Sequence, residues 1–296
     1  MDLFLSMMQA LGLLIIAPLV AGIIKKIKAR LQNRRGSSVF QVYFDLVKLL
    51  AKDSVTSPTV SWIFSVAPYI YFAGALAASS LVPIFYFSGK GFGDIFMLIY
   101  LLALGRFFLV LASLDAGSAF GGMGGAREMF IAVMVEPALL LSMCTIVFKA
   151  QTSSLGFMVS NVMNSPFSLA YIFAAIAFFI VLIAETGRIP VDNPDTHLEL
   201  TMIHEGMILE YSGRKLALIL WATAVKQIVM ILLFVVLFLP WNIVGAASLI
   251  WLFIKVLLVA MIIAIAETST NKMRLFKVPN FLAVSCLLSL LALVAQ

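Results

Sequence analysis

Eight runs of apolar residues, at roughly 3–24, 61–88, 94–114, 129–149, 168–187, 216–240, 246–266 and 278–295, constrain this chain more than any other feature. Each is near the ~20 residues a helix needs to cross the hydrocarbon of a bilayer. A backbone in lipid must also satisfy its own hydrogen bonds, which leaves the helix as the form for such runs. The sequence therefore predicts an all-α integral membrane protein with about eight transmembrane helices. Few residues are left between the runs, so 1–296 reads as a single polytopic membrane domain. Only 11% of residues are charged and 63% are hydrophobic, against about 25% charged in soluble domains. A soluble enzyme, a nucleic-acid module and a secreted disulfide scaffold are excluded, and the bilayer itself is the first partner. The first run is span-length and lacks a basic leader, so it reads as a span rather than a cleavable signal.

The charges outside the runs are sorted by loop. The first, third, fifth and seventh loops hold 15 of the 20 Lys and Arg, against Lys90 and Lys149 in the even loops. Basic loops stay cytoplasmic, which predicts a multi-pass protein of the cell (plasma) membrane with both termini outside. The net charge of +6 thus reports orientation before it reports an acidic partner. Within the first loop, Gln41, Asp45, Lys48 and Lys52 recur at helical spacing, with Val39, Val42, Tyr43, Leu46, Leu49 and Leu50 on the other side. That pattern predicts an amphipathic helix over about 38–52 lying along the membrane surface.

Charged residues inside spans carry the chemistry. Arg106, Lys226 and Lys255 lie within apolar runs, where a cation costs at least ~2.5–3.5 kcal/mol without a partner or a wet cavity. Glu136 lies in the fourth run, just before Pro137. A carboxyl at that depth suits taking up and releasing a proton, and proline there frees a backbone carbonyl one turn earlier. The fifth loop, 185–214, is the densest polar stretch. Pro190 and Pro194 interrupt a helix at its start. From Thr196 a helix is expected, with Thr196 and Glu199 as a capping box. On it Glu199 and Glu210 share a face, a line of carboxylates able to pass protons, with Glu205 on another side. His197 and His204 stand roughly 10 Å apart by helix rise; this is too far to share one ion, so they read as a hydrogen-bonding or proton-handling pair. Cys144 and Cys286 sit alone in apolar runs and give no ligand set for zinc or an all-cysteine cluster. No metal site and no catalytic residue is expected in this chain. The glycines from Gly117 to Gly125 lack the following Lys and Ser/Thr of a phosphate loop and read as a loop for close packing.

Glu185, Thr186, Arg188, Pro190, Asp192 and Pro194, followed by Glu199-Leu200 and Glu210-Tyr211-Ser212-Gly213, closely resemble the signature loop of the NADH dehydrogenase subunit 1 family, an eight-span membrane component of respiratory complex I. Arg127 and Glu136 match that family's arginine nine residues before an intramembrane glutamate, and Asn33-Arg34-Arg35-Gly36 with the helix after it match its first loop. The chain departs from the complex I form in three ways. Its fifth loop is a few residues longer and carries His204-Glu205, its third loop includes Asp115 and Glu128, and Pro137 follows Glu136 directly. The first two resemble the sister branch, the membrane subunit of energy-converting nickel–iron (NiFe) hydrogenases of the formate hydrogenlyase and hydrogenase-4 types.

That resemblance implies a membrane-anchoring and coupling subunit with no cofactor of its own. The nickel–iron centre and iron–sulfur clusters belong to partners: hydrogenase large and small subunits and iron–sulfur subunits in a cytoplasmic arm, with antiporter-like subunits alongside in the membrane. It also implies that hydrogen formation is linked to proton or sodium translocation. Glu136, Glu185, Glu199 and Glu210 match the carboxylate path; Arg127, Arg188 and Asp192, with Asp115 and Glu128, shape the interface cavity. The rival expectations are a quinone-site subunit of a complex I-type oxidoreductase and a stand-alone ion or solute transporter. The second is disfavoured because the two halves lack the self-similarity common in carriers.

Overall fold

Residues 2–84, 93–163, 168–194, 202–239 and 248–295 are described by the computed structural model, and they form eleven α-helices. Seven are long and apolar enough to cross a membrane: α1 (Asp2–Leu31), α3 (Trp62–Leu81), α4 (Ile95–Asp115), α5 (Ala119–Ala150), α9 (Gly213–Phe238), α10 (Ser248–Ser269) and α11 (Val278–Val294), the last entered through a 3-10 turn at Leu275–Lys277. An eighth apolar helix, α7 (Leu169–Glu185), has 17 residues, at the lower end of span length. Three short helices complete the set: α2 (Gln41–Leu50), α6 (Leu155–Met163) and α8 (His204–Ile208). The protein is an all-α, multi-pass membrane protein.

Two spans run further than the apolar pattern indicates. α1 continues to Leu31, past Lys25, Lys26 and Lys28, because lysines are good helix formers and a helix leaving the bilayer loses only its lipid. α5 starts at Ala119 rather than near 129, so the glycine stretch is helical instead of a loop. Ser118 caps it by accepting from the Gly121 amide, and the weak helix formers are held by contacts rather than propensity. A Cβ on Gly124 would lie 2.9 Å from the Ile203 carbonyl oxygen and 2.9 Å from the Met207 nitrogen, so glycine lets α8 lie directly on α5. Pro137 is inside α5, which continues on both sides of it.

α9 is the axis of the bundle. Its second half, from Ala224 to Phe238, is buried at nearly every position, and it packs against α1, α2, α3, α7 and α10. Around it α3 pairs with α4, and α11 with α5 and α7. The first loop reverses near Gly36 and returns along α1, where the Tyr43 hydroxyl donates to the Ile15 carbonyl. α2 there buries Leu46 and exposes Phe44 and Val47, with Phe40 exposed just before it, so its apolar residues divide between protein and surroundings. At the opposite end α6 lies against the start of α4, through Ile95 N to Ser153 O at 3.1 Å and Leu155 N to Gly93 O at 2.8 Å.

Candidate functional site

At the end of the bundle that carries the basic loops, α1, α2, α3, α4, α5, α8 and α9 leave a cavity of about 200 Å³, roofed by the segment after α7. Arg106, Glu128, Glu185 and Lys226 converge on its wall, with Glu136 beside them. Arg106, on α4, is 6% exposed. Its guanidinium pairs with Glu185 at the end of α7, lies 3.3 Å from Glu136 and 3.6 Å from Glu128, both on α5. Glu185 also accepts Lys226 of α9 at 2.8 Å. One buried carboxylate therefore neutralises two cations, and Arg106 bridges it to two more carboxylates. Burial of this kind holds only when the charges are paired. Two of the intramembrane cations that need partners, Arg106 and Lys226, find the same one.

The segment after α7 turns at Gly187, where φ is +59°, and passes through a cis Ile189–Pro190 bond. It places Arg188 and Asp192 on the cavity wall. Arg188 donates to Gln227 of α9 at 2.7 Å and lies 3.3 Å from Glu267 of α10. Glu267 also meets Lys28 of α1 at 3.2 Å. Asp192 accepts Lys272 at 2.6 Å and the His204 amide at 3.2 Å, so it caps α8. The His204 ring lies 3.4 Å from the Thr223 hydroxyl, which is 3.4 Å from the Tyr71 hydroxyl. Charged and hydrogen-bonding groups thus run from α1 and α10, around the cavity, to α5. Such a set can hold, release and re-pair protons and charges, with most of its members shielded from the surroundings.

Several expected residues are placed differently. The described fifth loop has no helix before His204: Ile203 has φ −118° and ψ −80°, and α8 ends at Ile208. Glu210 is thus exposed beyond α8, while Glu205 lines the cavity. The expected cap of Thr196 and Glu199, like His197, lies outside the described residues, and Asp192 supplies an acceptor to the first amide of α8. Asp115, expected at the cavity, instead accepts the Ser61 amide at 2.8 Å and the Phe64 amide at 3.3 Å, capping α3, because its position at the end of α4 faces that start. Arg127 donates to the Met202 carbonyl at 2.8 Å and tethers the approach to α8. Lys255 stands apart from the cluster and donates to the Leu239 carbonyl at 2.7 Å, where a cation meets the negative end of α9. Tyr211 donates to the Phe64 carbonyl at 2.9 Å and stacks on its ring, fixing the far end of the loop; burial, with Asp115 adding to it, pushes its hydroxyl above the ordinary tyrosine range. Cys144 and Cys286 are unbridged. Glu267, 2% exposed, is the residue that sequence reasoning missed. Its signal was a carboxylate at the end of an apolar run, at the depth of Lys28 in another.

The sequence pattern of the family described as NADH dehydrogenase matches residues 4–296. Among similar proteins, hydrogenase-4 component C of Escherichia coli is 36% identical, over 91% of this chain and 88% of that protein. Formate hydrogenlyase subunit 4 of Escherichia coli is 32% identical, over 95% and 94%. A chain in the structure of the membrane-bound sulfane sulfur reductase, an archaeal respiratory membrane complex, superposes with a TM-score of 0.85 over 99% of both chains at 20% identity, a likeness of fold. Matched along nearly its whole length, the chain belongs to the NADH dehydrogenase subunit 1 family, in the branch of the energy-converting hydrogenases.

Proposed function

We propose that this chain is the membrane-anchoring and coupling subunit of a multisubunit energy-converting nickel–iron hydrogenase. It links electron transfer and hydrogen formation in a cytoplasmic arm to proton or sodium movement through the membrane. The nickel–iron centre and iron–sulfur clusters reside in the large, small and iron–sulfur subunits, and antiporter-like subunits lie beside it in the plasma membrane, with both termini outside. The observation that carries this reading is the path of charge from the cavity to α5. Glu136, midway along that helix, pairs with buried Arg106 yet keeps 41% of its side chain exposed. A carboxylate facing lipid at that depth is costly, so its outward side fits a neighbouring membrane subunit that continues the path. At the other end, the cavity opens among the basic loops, where a cytoplasmic arm would dock.

Affinity purification of the tagged chain from native membranes tests this assignment. Co-purification of a nickel-containing complex that evolves hydrogen from a reduced mediator is the expected result. A nickel-free complex that reduces quinone would move the chain to the complex I role, and a chain that purifies alone would favour a carrier.

A further inference from the structure

The loop that roofs the cavity closes its own turns, with the Val191 and Asp192 amides donating to the Arg188 carbonyl at 2.9 and 3.1 Å, and Arg188 donates to Gln227 of α9. Its charged side chains are held from a further side by the end of α10 and the stretch of chain that follows. Glu267 faces Arg188 at 3.3 Å, the Met273 amide donates to the Pro190 carbonyl at 2.9 Å, and Lys272 meets Asp192 at 2.6 Å. These three contacts, spread along 267–273, grip 188–192. Two are ionic and one is backbone to backbone.

The arrangement has directional consequences. Arg188 is 11% exposed in its side chain and Glu267 1%. Lys28 shares Glu267 from the other side, 11% exposed. Without the Glu267 charge, Lys28 and Arg188 would face each other across an uncharged group, and Arg188 would keep only its bond to Gln227. Asp192 transmits the grip further: with Lys272 on one oxygen and the His204 amide on the other, it connects the end of α10 to the first turn of α8, whose Glu205 and His204 line the cavity. We infer that Glu267 and Lys272 are positioning residues, which hold Arg188 and Asp192, and through them the roof loop and α8, in place over the cavity. The inference rests on the coupling reading above only in taking this cavity for the coupling site.

The test uses the intact purified complex with Cys144 and Cys286 replaced by alanine and a reporter cysteine at Thr186, which lines the cavity. Its rate of labelling by a small water-soluble methanethiosulfonate reports opening of the loop. Glu267→Gln keeps volume and loses charge; Glu267→Asp keeps charge and loses volume. Labelling is expected to rise about tenfold in Glu267→Gln, the scale of one lost charge-assisted contact, and to stay within about twofold of the parent in Glu267→Asp. Equal labelling in the parent and Glu267→Gln, or a larger rise in Asp than in Gln, overturns the inference. If Glu267→Gln does not assemble, Lys272→Gln at a position 20% exposed gives the same reading, with unchanged labelling again decisive against it. Vesicle uptake of ions per hydrogen formed is measured in parallel. If the parent shows none, the coupling reading falls and the labelling result still decides the role of Glu267 and Lys272.

Discussion

Arg106 is the residue on which the site turns, since its guanidinium serves Glu185, Glu136 and Glu128 together. Arg106→Met leaves these carboxylates short of their shared cation, a loss of the kind that costs about 3–5 kcal/mol when a buried pair is broken. The expected outcome is a severe fall in assembled complex on native gels. Arg106→Lys should fall in between, because an ammonium lacks the planar fork that engages several carboxylates. A second expectation concerns the two acids of the fifth loop. Glu205→Gln should reduce ion uptake per hydrogen formed more than Glu210→Gln, since Glu205 faces the cavity and Glu210 is exposed; equal effects would place the path elsewhere. Sequence alone ranks these two in the opposite order. It implies a continuous helix through both, and nothing in the local pattern reveals that Asp192, twelve residues before His204, starts the helix there instead. Arg106, Lys226 and Glu136 were legible because a charge in an apolar run has no cheap explanation. Glu267 was not, because its meaning depends on α1 and α10 being neighbours.

Among the elements, the crossing of α5 and α8 depends on glycine. A methyl on Gly124 would come within 3.0 Å of the backbone of α8, whereas one on Gly122 would meet open space. Gly124→Ala should therefore lower the thermal stability of the complex, with overpacking costing about 1–3 kcal/mol. Gly122→Ala should leave it unchanged or raise it by up to about 1 kcal/mol through helix propensity. Equal melting shifts for the two would mean that α8 does not rest on α5 as described. The spans themselves were readable from length and apolarity, and their ends were not. α5 begins at Ala119, well ahead of the apolar run, because Ser118 and α8 stabilise a glycine-rich start that propensity disfavours. α8 begins at His204, whose amide Asp192 accepts from across the loop, and ends at Ile208, short of Glu210. α6, nine residues long, left no distinct pattern in a stretch too short to span.

For the whole molecule, the sorting of basic residues predicts the orientation. Reporter fusions at Lys90, Gly156 and Gly245 should face outward, and fusions at Gln32 and Asn271 should face the cytoplasm; any reversal among these five would reject that topology. The isolated cysteines predict that the Cys144→Ala, Cys286→Ala double variant assembles with unchanged nickel and iron content, and loss of a cluster signal in it would contradict that. The bundle places its buried charges between the cavity at the basic-loop end and the exposed face of α5, and the proposed coupling of hydrogen formation to ion movement along this path is open to one direct measurement. The complex carrying Glu136→Gln, which keeps the volume of the side chain and removes its charge, is reconstituted in vesicles and supplied with a reduced soluble mediator. If Glu136 carries the path outward, hydrogen forms at close to the native rate while ion uptake per hydrogen falls at least about tenfold, the factor for ~1.4 kcal/mol on the transfer barrier. Native uptake per hydrogen in that variant would contradict the coupling path and reduce Glu136 to a fixed partner of Arg106.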